Sequence, residues 1–66
     1  MQVTVNGEPR PLTAALKIDE LLAELRLGGK RVAVEVNGSI VPRSRHAATA
    51  LQDGDQVLIV QAIGGG

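Results

Sequence analysis

Apolar and polar positions alternate from the first residues of the chain. Val3 and Val5 are interleaved with Gln2 and Thr4. A period of two marks a half-buried strand, with one face toward a core and the other toward water. Asn6-Gly7 follows, and both residues tolerate the positive φ that a two-residue hairpin requires. The return segment, residues 8–12, carries Pro9 and Pro11. Proline has no N–H to give to a ladder, so this strand is predicted at a sheet edge.

The period then changes. Ile18, Leu21, Leu22 and Leu25 fall at i, i+3, i+4 and i+7, one apolar stripe on a helix of about two turns. Asp19 and Glu20 in its first turn and Arg26 near its end complement the helix dipole. The pattern leaves the N-cap open. Gly28-Gly29 is expected to end the helix. Val32, Val34 and Val36 alternate with Ala33 and Glu35, Asn37-Gly38 repeats the hairpin signal, and Ser39-Ile40-Val41 forms a short return strand stopped by Pro42. Residues 43–51 are irregular, with a helical turn expected around residues 46–50. Asp53-Gly54-Asp55 reads as a turn. The last strand, residues 56–61, is apolar at Val57, Leu58, Ile59 and Val60 in succession, which suits a central strand covered on both faces.

Two hairpins, one helix and a final central strand predict an α+β fold. It is a mixed sheet of about four to five strands with one main helix packed on one face and the last strand beside the first. That is the β-grasp, or ubiquitin-like, arrangement, with a generic α+β sandwich as its alternative. Within the last strand, Val57 and Ile59 fall on one side and Leu58 and Val60 on the other. By analogy with ubiquitin-like folds, Leu58 and Val60 are assigned to the open face as a partner-docking patch.

Composition narrows the chemistry. At 66 residues the chain is a single domain, of a size that buries only about 60% of its unfolded surface. Phe, Trp, Tyr and Cys are absent. The core must therefore interlock branched aliphatic side chains. Base stacking, thiolate nucleophiles and cysteine zinc sites are excluded. Seven Lys+Arg against seven Asp+Glu give a formal net charge of zero, a poor balance for binding nucleic acid. The longest apolar run has four residues, too short for a membrane span. The N-terminus lacks the features of a signal peptide, so the expected location is cytoplasmic.

No catalytic constellation emerges. Ser44 and His46 at i, i+2 lack an orienting carboxylate and read as surface loop. Asp53 and Asp55 offer too few oxygens for a calcium loop, no Gly-rich phosphate loop occurs, and no metal site is expected. Lys30, Arg31, Arg43 and Arg45 could converge as a basic rim that speeds docking of an acidic partner surface.

The unusual feature is the run Gly64-Gly65-Gly66 after Ile63. Two readings are open by pattern. It is a frayed end, as termini commonly are, or a threading tail over residues 63–66. Glycine without a Cβ passes through channels closed to other residues, and three extended residues reach roughly 10 Å. A terminal carboxylate, ionised at neutral pH, becomes an electrophile once adenylated.

The chain resembles the ThiS family of sulfur carrier proteins of thiamine biosynthesis over essentially its whole length. The resemblance rests on residues 1–7, on Ile18-Asp19-Glu20-Leu21-Leu22, on Val36-Asn37-Gly38-Ser39-Ile40-Val41-Pro42-Arg43, on residues 51–57 and on Gly65-Gly66. One departure is His46, where the family commonly carries an aromatic residue, usually Trp. The resemblance therefore says least about the packing of residues 43–51.

The resemblance implies a co-substrate, not an enzyme, with no catalytic residue and no cofactor of its own. An E1-like adenylating enzyme would use ATP and Mg²⁺ to convert the Gly66 carboxylate to an acyl-adenylate. Sulfur from a desulfurase persulfide would replace AMP, and thiazole synthase would take it from the Gly66 thiocarboxylate. Gly64 and Gly65 would thread the partner channels, Leu58 and Val60 would dock, and Arg43 and Arg45 would line the basic rim. The alternatives are the related sulfur carrier of molybdopterin biosynthesis, a ubiquitin-like protein tag joined to lysines, and an inert interaction module.

Overall fold

The computed structural model describes residues 1–61. The expected threading residues Gly64 and Gly65 and the expected loading site Gly66 lie outside the described residues, as does the expected tail, residues 63–66.

Both Asn-Gly pairs form the turns their chemistry favours. Asn6 (φ 51°) and Gly7 (φ 84°), and likewise Asn37 (φ 53°) and Gly38 (φ 86°), all take the left-handed conformation that matches hairpin twist. The first turn joins β1 (Gln2–Val5) to β2 (Glu8–Pro11), and the second joins β3 (Val32–Val36) to β4 (Ser39–Val41). β5 (Gln56–Gln61) lies between the hairpins, giving one sheet in the order β2-β1-β5-β3-β4. β5 is parallel to β1, with Val5 opposite Val57, and antiparallel to β3, with Val34 opposite Ile59. The proline-bearing β2 is at an edge, where its missing donors cost nothing. This is the β-grasp arrangement.

The helix α1 (Ile18–Glu24) buries Ile18, Leu21 and Leu22. They join Val3, Leu12, Val34, Leu51, Val57 and Ile59 in a wholly aliphatic core. Seven residues are too few for a helix to persist alone, so its ends depend on tertiary partners. At the N-terminus, the Ile18 N–H donates to the Thr49 carbonyl (3.0 Å) and the Asp19 N–H to the His46 carbonyl (3.2 Å). The Glu20 carboxylate accepts from the Lys17 N–H at 2.8 Å, the returning half of a capping box.

Three expectations are corrected. The helix does not run to Gly28-Gly29; it ends at Glu24. Leu27 N–H reaches the Leu22 carbonyl (2.8 Å) and Arg26 N–H the Ala23 carbonyl (3.0 Å), a Schellman pair. Its left-handed residue is Arg26 (φ 61°), because Leu27 must turn back to pack on the core. The helical turn placed at residues 46–50 occurs earlier, as a 3₁₀ turn over Arg43–Arg45, since Pro42 supplies its first carbonyl to the Arg45 N–H (2.9 Å). β5 is central but covered on one face only: Val57 and Ile59 are buried while Leu58 and Val60 are exposed. A single helix leaves the other face of the sheet uncovered.

Arg26 holds a conformation that penalises a Cβ by about 1–2 kcal/mol. Arg26→Gly should therefore stabilise the fold by about 1 kcal/mol, raising the thermal midpoint by about 4–8 °C. A scanning calorimetry measurement checks this, and an unchanged or lower midpoint refutes it.

Candidate functional site

The uncovered face of the sheet is built by strand parity. On β5 the core takes Val57 and Ile59, so Leu58 and Val60 point the other way, and they are 44% and 54% exposed. Register carries the surface across the neighbouring strands. Leu58 lies opposite Glu35 on β3 and Val60 opposite Ala33, while Glu35 lies opposite Ile40 on β4. Residues opposite one another share a face about 5 Å apart. Ile40, 72% exposed, thus continues the apolar strip past the half-buried Glu35. Sequence reasoning missed Ile40. In a three-residue strand, the alternation of Ile40 with Val41 assigns a face only after the Asn37-Gly38 turn sets the register.

Lys30 and Arg43 line a single shallow depression with Asp19, Leu22 and His46, and neither Arg31 nor Arg45 lines it. All four are exposed. Among the described residues the ion pair is elsewhere, from Arg10 to Glu24 at 3.3 Å.

His46 is not a surface-loop residue. It is 5% exposed, and its Nε2 lies 3.0 Å from the Val41 carbonyl. A carbonyl only accepts, so Nε2 carries the proton. The imidazole thereby tethers the segment after Pro42 to β4, while the His46 carbonyl serves the helix N-terminus. Ser44 is exposed and makes no triad with it.

The carboxylates of the Asp53-Gly54-Asp55 turn are occupied by local bonds. Asp53 accepts from the Gln2 N–H (2.7 Å), and Asp55 accepts from the Gln52 N–H (2.8 Å) and from the Asn37 carboxamide (3.0 Å). Among the described residues no group of three His, Cys, Asp or Glu could hold a metal ion. No helix of the described residues is long and apolar enough to cross a membrane.

What the arrangement offers is a surface and an exit. An apolar strip lies on β5 and its neighbours, and β5 runs to Gln61, directly before the residues that end in Gly64, Gly65 and Gly66.

Comparison with known proteins places this geometry. The profile of the ThiS family matches residues 3–66. The sulfur carrier protein ThiS of Escherichia coli is 38% identical over 66 residues, covering all of both chains. A protein named thiazole synthase from Paramagnetospirillum magneticum is 46% identical over the same 66 residues. The chain spans only 20% of that protein's length, and 20% of a thiazole synthase of Magnetococcus marinus. A crystal structure of the thiamine biosynthesis protein ThiS from Geobacter metallireducens superposes with a TM-score of 0.84 at 38% identity, covering all of both chains.

The parity of β5 makes a direct test. Leu58→Asp should lose about 1 kcal/mol or less, the scale of strand propensity. Ile59→Asp buries an unpaired carboxylate and should exceed about 4 kcal/mol. Urea unfolding of the two variants separates them, and a Leu58→Asp loss equal to or larger than that of Ile59→Asp overturns the assignment of faces.

Proposed function

The chain belongs to the ThiS family, and from that premise we propose that it is a sulfur carrier of thiamine biosynthesis whose Gly66 carboxylate is the loading site. The observation that carries this is the match to the Escherichia coli carrier along the full length of both chains. The reading makes the protein a co-substrate on which partner enzymes act.

The chemistry is what membership of the family implies for this chain. A carboxylate at Gly66 attacks the α-phosphorus of ATP, releasing pyrophosphate and forming an acyl-adenylate. The outer sulfur of a persulfide then attacks the acyl carbon and expels AMP, forming an acyl disulfide, and a partner thiol cleaves its S–S bond, releasing the thiocarboxylate and leaving a disulfide on the partner. ATP and Mg²⁺ belong to an E1-like adenylating partner, and the sulfur comes from a desulfurase persulfide. Gly64 and Gly65 carry no Cβ to obstruct a narrow channel. The proposed receiver is thiazole synthase, supported by the two proteins of that name that contain a stretch like this chain.

Docking falls to the open face. Leu58, Val60 and Ile40 form an exposed apolar strip of the kind that marks a protein–protein contact. Arg43 and Arg45, both exposed, would steer an acidic partner surface, raising the association rate at low ionic strength.

Intact mass after incubation with ATP, Mg²⁺, a cysteine desulfurase system and the cognate adenylating enzyme tests the central claim. The expected gain equals the replacement of one oxygen by sulfur, localised to Gly66. No gain with a demonstrably active enzyme, or adducts on lysines instead, overturns it. Gly65→Ala and Gly66→Ala should lower adenylation without moving the thermal midpoint, and full adenylation of both would contradict threading. Reversing Arg43 and Arg45 to Glu should slow association about tenfold or more at low salt; an unchanged on-rate would remove them from the docking surface.

A further inference from the structure

Asn6 and Asn37 occupy equivalent places in the two hairpins, each left-handed and each followed by glycine. Backbone conformation accounts for asparagine at both positions but makes no use of either carboxamide. Both carboxamides reach β5, at opposite ends. Asn37 binds the strand's start: its Oδ1 accepts from the Gln56 N–H (2.9 Å) and its Nδ2 donates to the Asp55 carboxylate (3.0 Å).

Asn6 does something different. Its Oδ1 accepts from the Ile59 N–H at 2.7 Å, and its Nδ2 donates to the Ile59 carbonyl at 3.2 Å. One side chain thus satisfies both main-chain groups of a single residue, as a neighbouring strand would. The pairing of β1 with β5 ends at Val5 opposite Val57, and the Asn6 N–H makes a last main-chain bond to the Val57 carbonyl (2.9 Å). The chain then turns away at Gly7. The carboxamide supplies one further rung where β1 can no longer do so.

That rung grips the last core residue of the strand. Ile59 is buried, while Val60 and Gln61 beyond it are exposed. We infer that Asn6 is a positioning residue for the transfer reaction. By holding Ile59 on the β1 side, it fixes the end of the strand that precedes the residues leading to Gly66. This rests on the sulfur-carrier reading of Gly66. Without the rung, residues 59–61 are held from the β3 side alone, and each residue freed there must be reordered when Gly66 enters a partner's active site. The loss falls after docking, because Leu58 and its neighbours still present the open face.

Asn6→Gly removes the carboxamide and keeps the left-handed turn. Asn37→Gly does the same at the strand's start and serves as the matched control. The readouts are amide hydrogen exchange at Ile59, the thermal midpoint, and steady-state adenylation of the full chain by the cognate adenylating enzyme with ATP. Asn6→Gly should speed Ile59 exchange and lower kcat about tenfold, the cost of reordering one residue, with KM within about twofold. Asn37→Gly should lower the midpoint comparably and leave kcat at the wild-type value. Equal kcat for the two variants, or a loss carried by KM alone, overturns the inference. A wild-type chain that gains no sulfur overturns the carrier reading instead, and unchanged Ile59 exchange in Asn6→Gly overturns the rung in either case.

Discussion

The pairing of β5 with β1 and β3 is the constraint on which everything else rests. Remove it and the sheet falls into two hairpins, β2-β1 and β3-β4. Each would be a two-stranded ribbon, marginal at best in water. β5 joins them through bonds between the ends of the chain, such as the Thr4 N–H to the Asp55 carbonyl at 2.9 Å. It also brings Val57 and Ile59 into the cluster with Val3, Val34 and Ile18. The last element thus completes the core, and the fold is dominated by contacts distant in sequence, which form late and depend on one another.

The helix depends on that frame in turn. Its N-terminal donors find the carbonyls of Thr49 and His46, so residues 43–51, which carry no long regular element, are the cap of α1 as well as a connection. The segment is held by the His46 imidazole on Val41 and by the buried Leu51. The His46 ring is buried and satisfies a main-chain carbonyl. In a core with no aromatic residue, this buried imidazole is the one ring that the packing includes.

The legible part of the sequence was the part governed by short-range chemistry. Asn-Gly turns, alternating valines, the 18-21-22 stripe and the edge prolines each carry their own physical cause and place the strands of both hairpins, while β5 came from its apolar run after the Asp-Gly-Asp turn. The strand-by-strand topology needed only the reach of one helix over one face. The errors share a different cause: tertiary demands that no local signal encodes. Arg26 takes the left-handed position because Leu27 must return to the core, although glycines stand two residues later. His46 looks like loop until the helix N-terminus is laid beside it. Of the candidate site, alternation separated Leu58 and Val60 from Val57 and Ile59, but which pair faces outward came from analogy with ubiquitin-like folds. Ile40 was not readable, because its face depends on a register the three residues of β4 cannot specify alone.

An exposed apolar strip invites association of the wrong kind, and the sheet limits which kind is possible. One edge, β2, carries two prolines, and the other, β4, is three residues long. Both features discourage strand addition at an edge, which leaves the face itself as the adhesive surface. Glu35, set between Ile40 and Leu58 by register, adds a charge that a second copy of the same face would have to bury against its own equivalent. A partner with a complementary cation or hydrogen-bond donor at that point suffers no such penalty. The exposed apolar strip includes Leu58 and Val60 of β5, which ends at Gln61, and Gly66, the proposed loading site, follows it in sequence. Gly66 is the sixth residue after Val60, a span of roughly 20 Å if extended. On the proposed reading, a partner that grips the face keeps its reactive centre within that radius, and the strand that closes the core also sets the reach of the proposed chemistry.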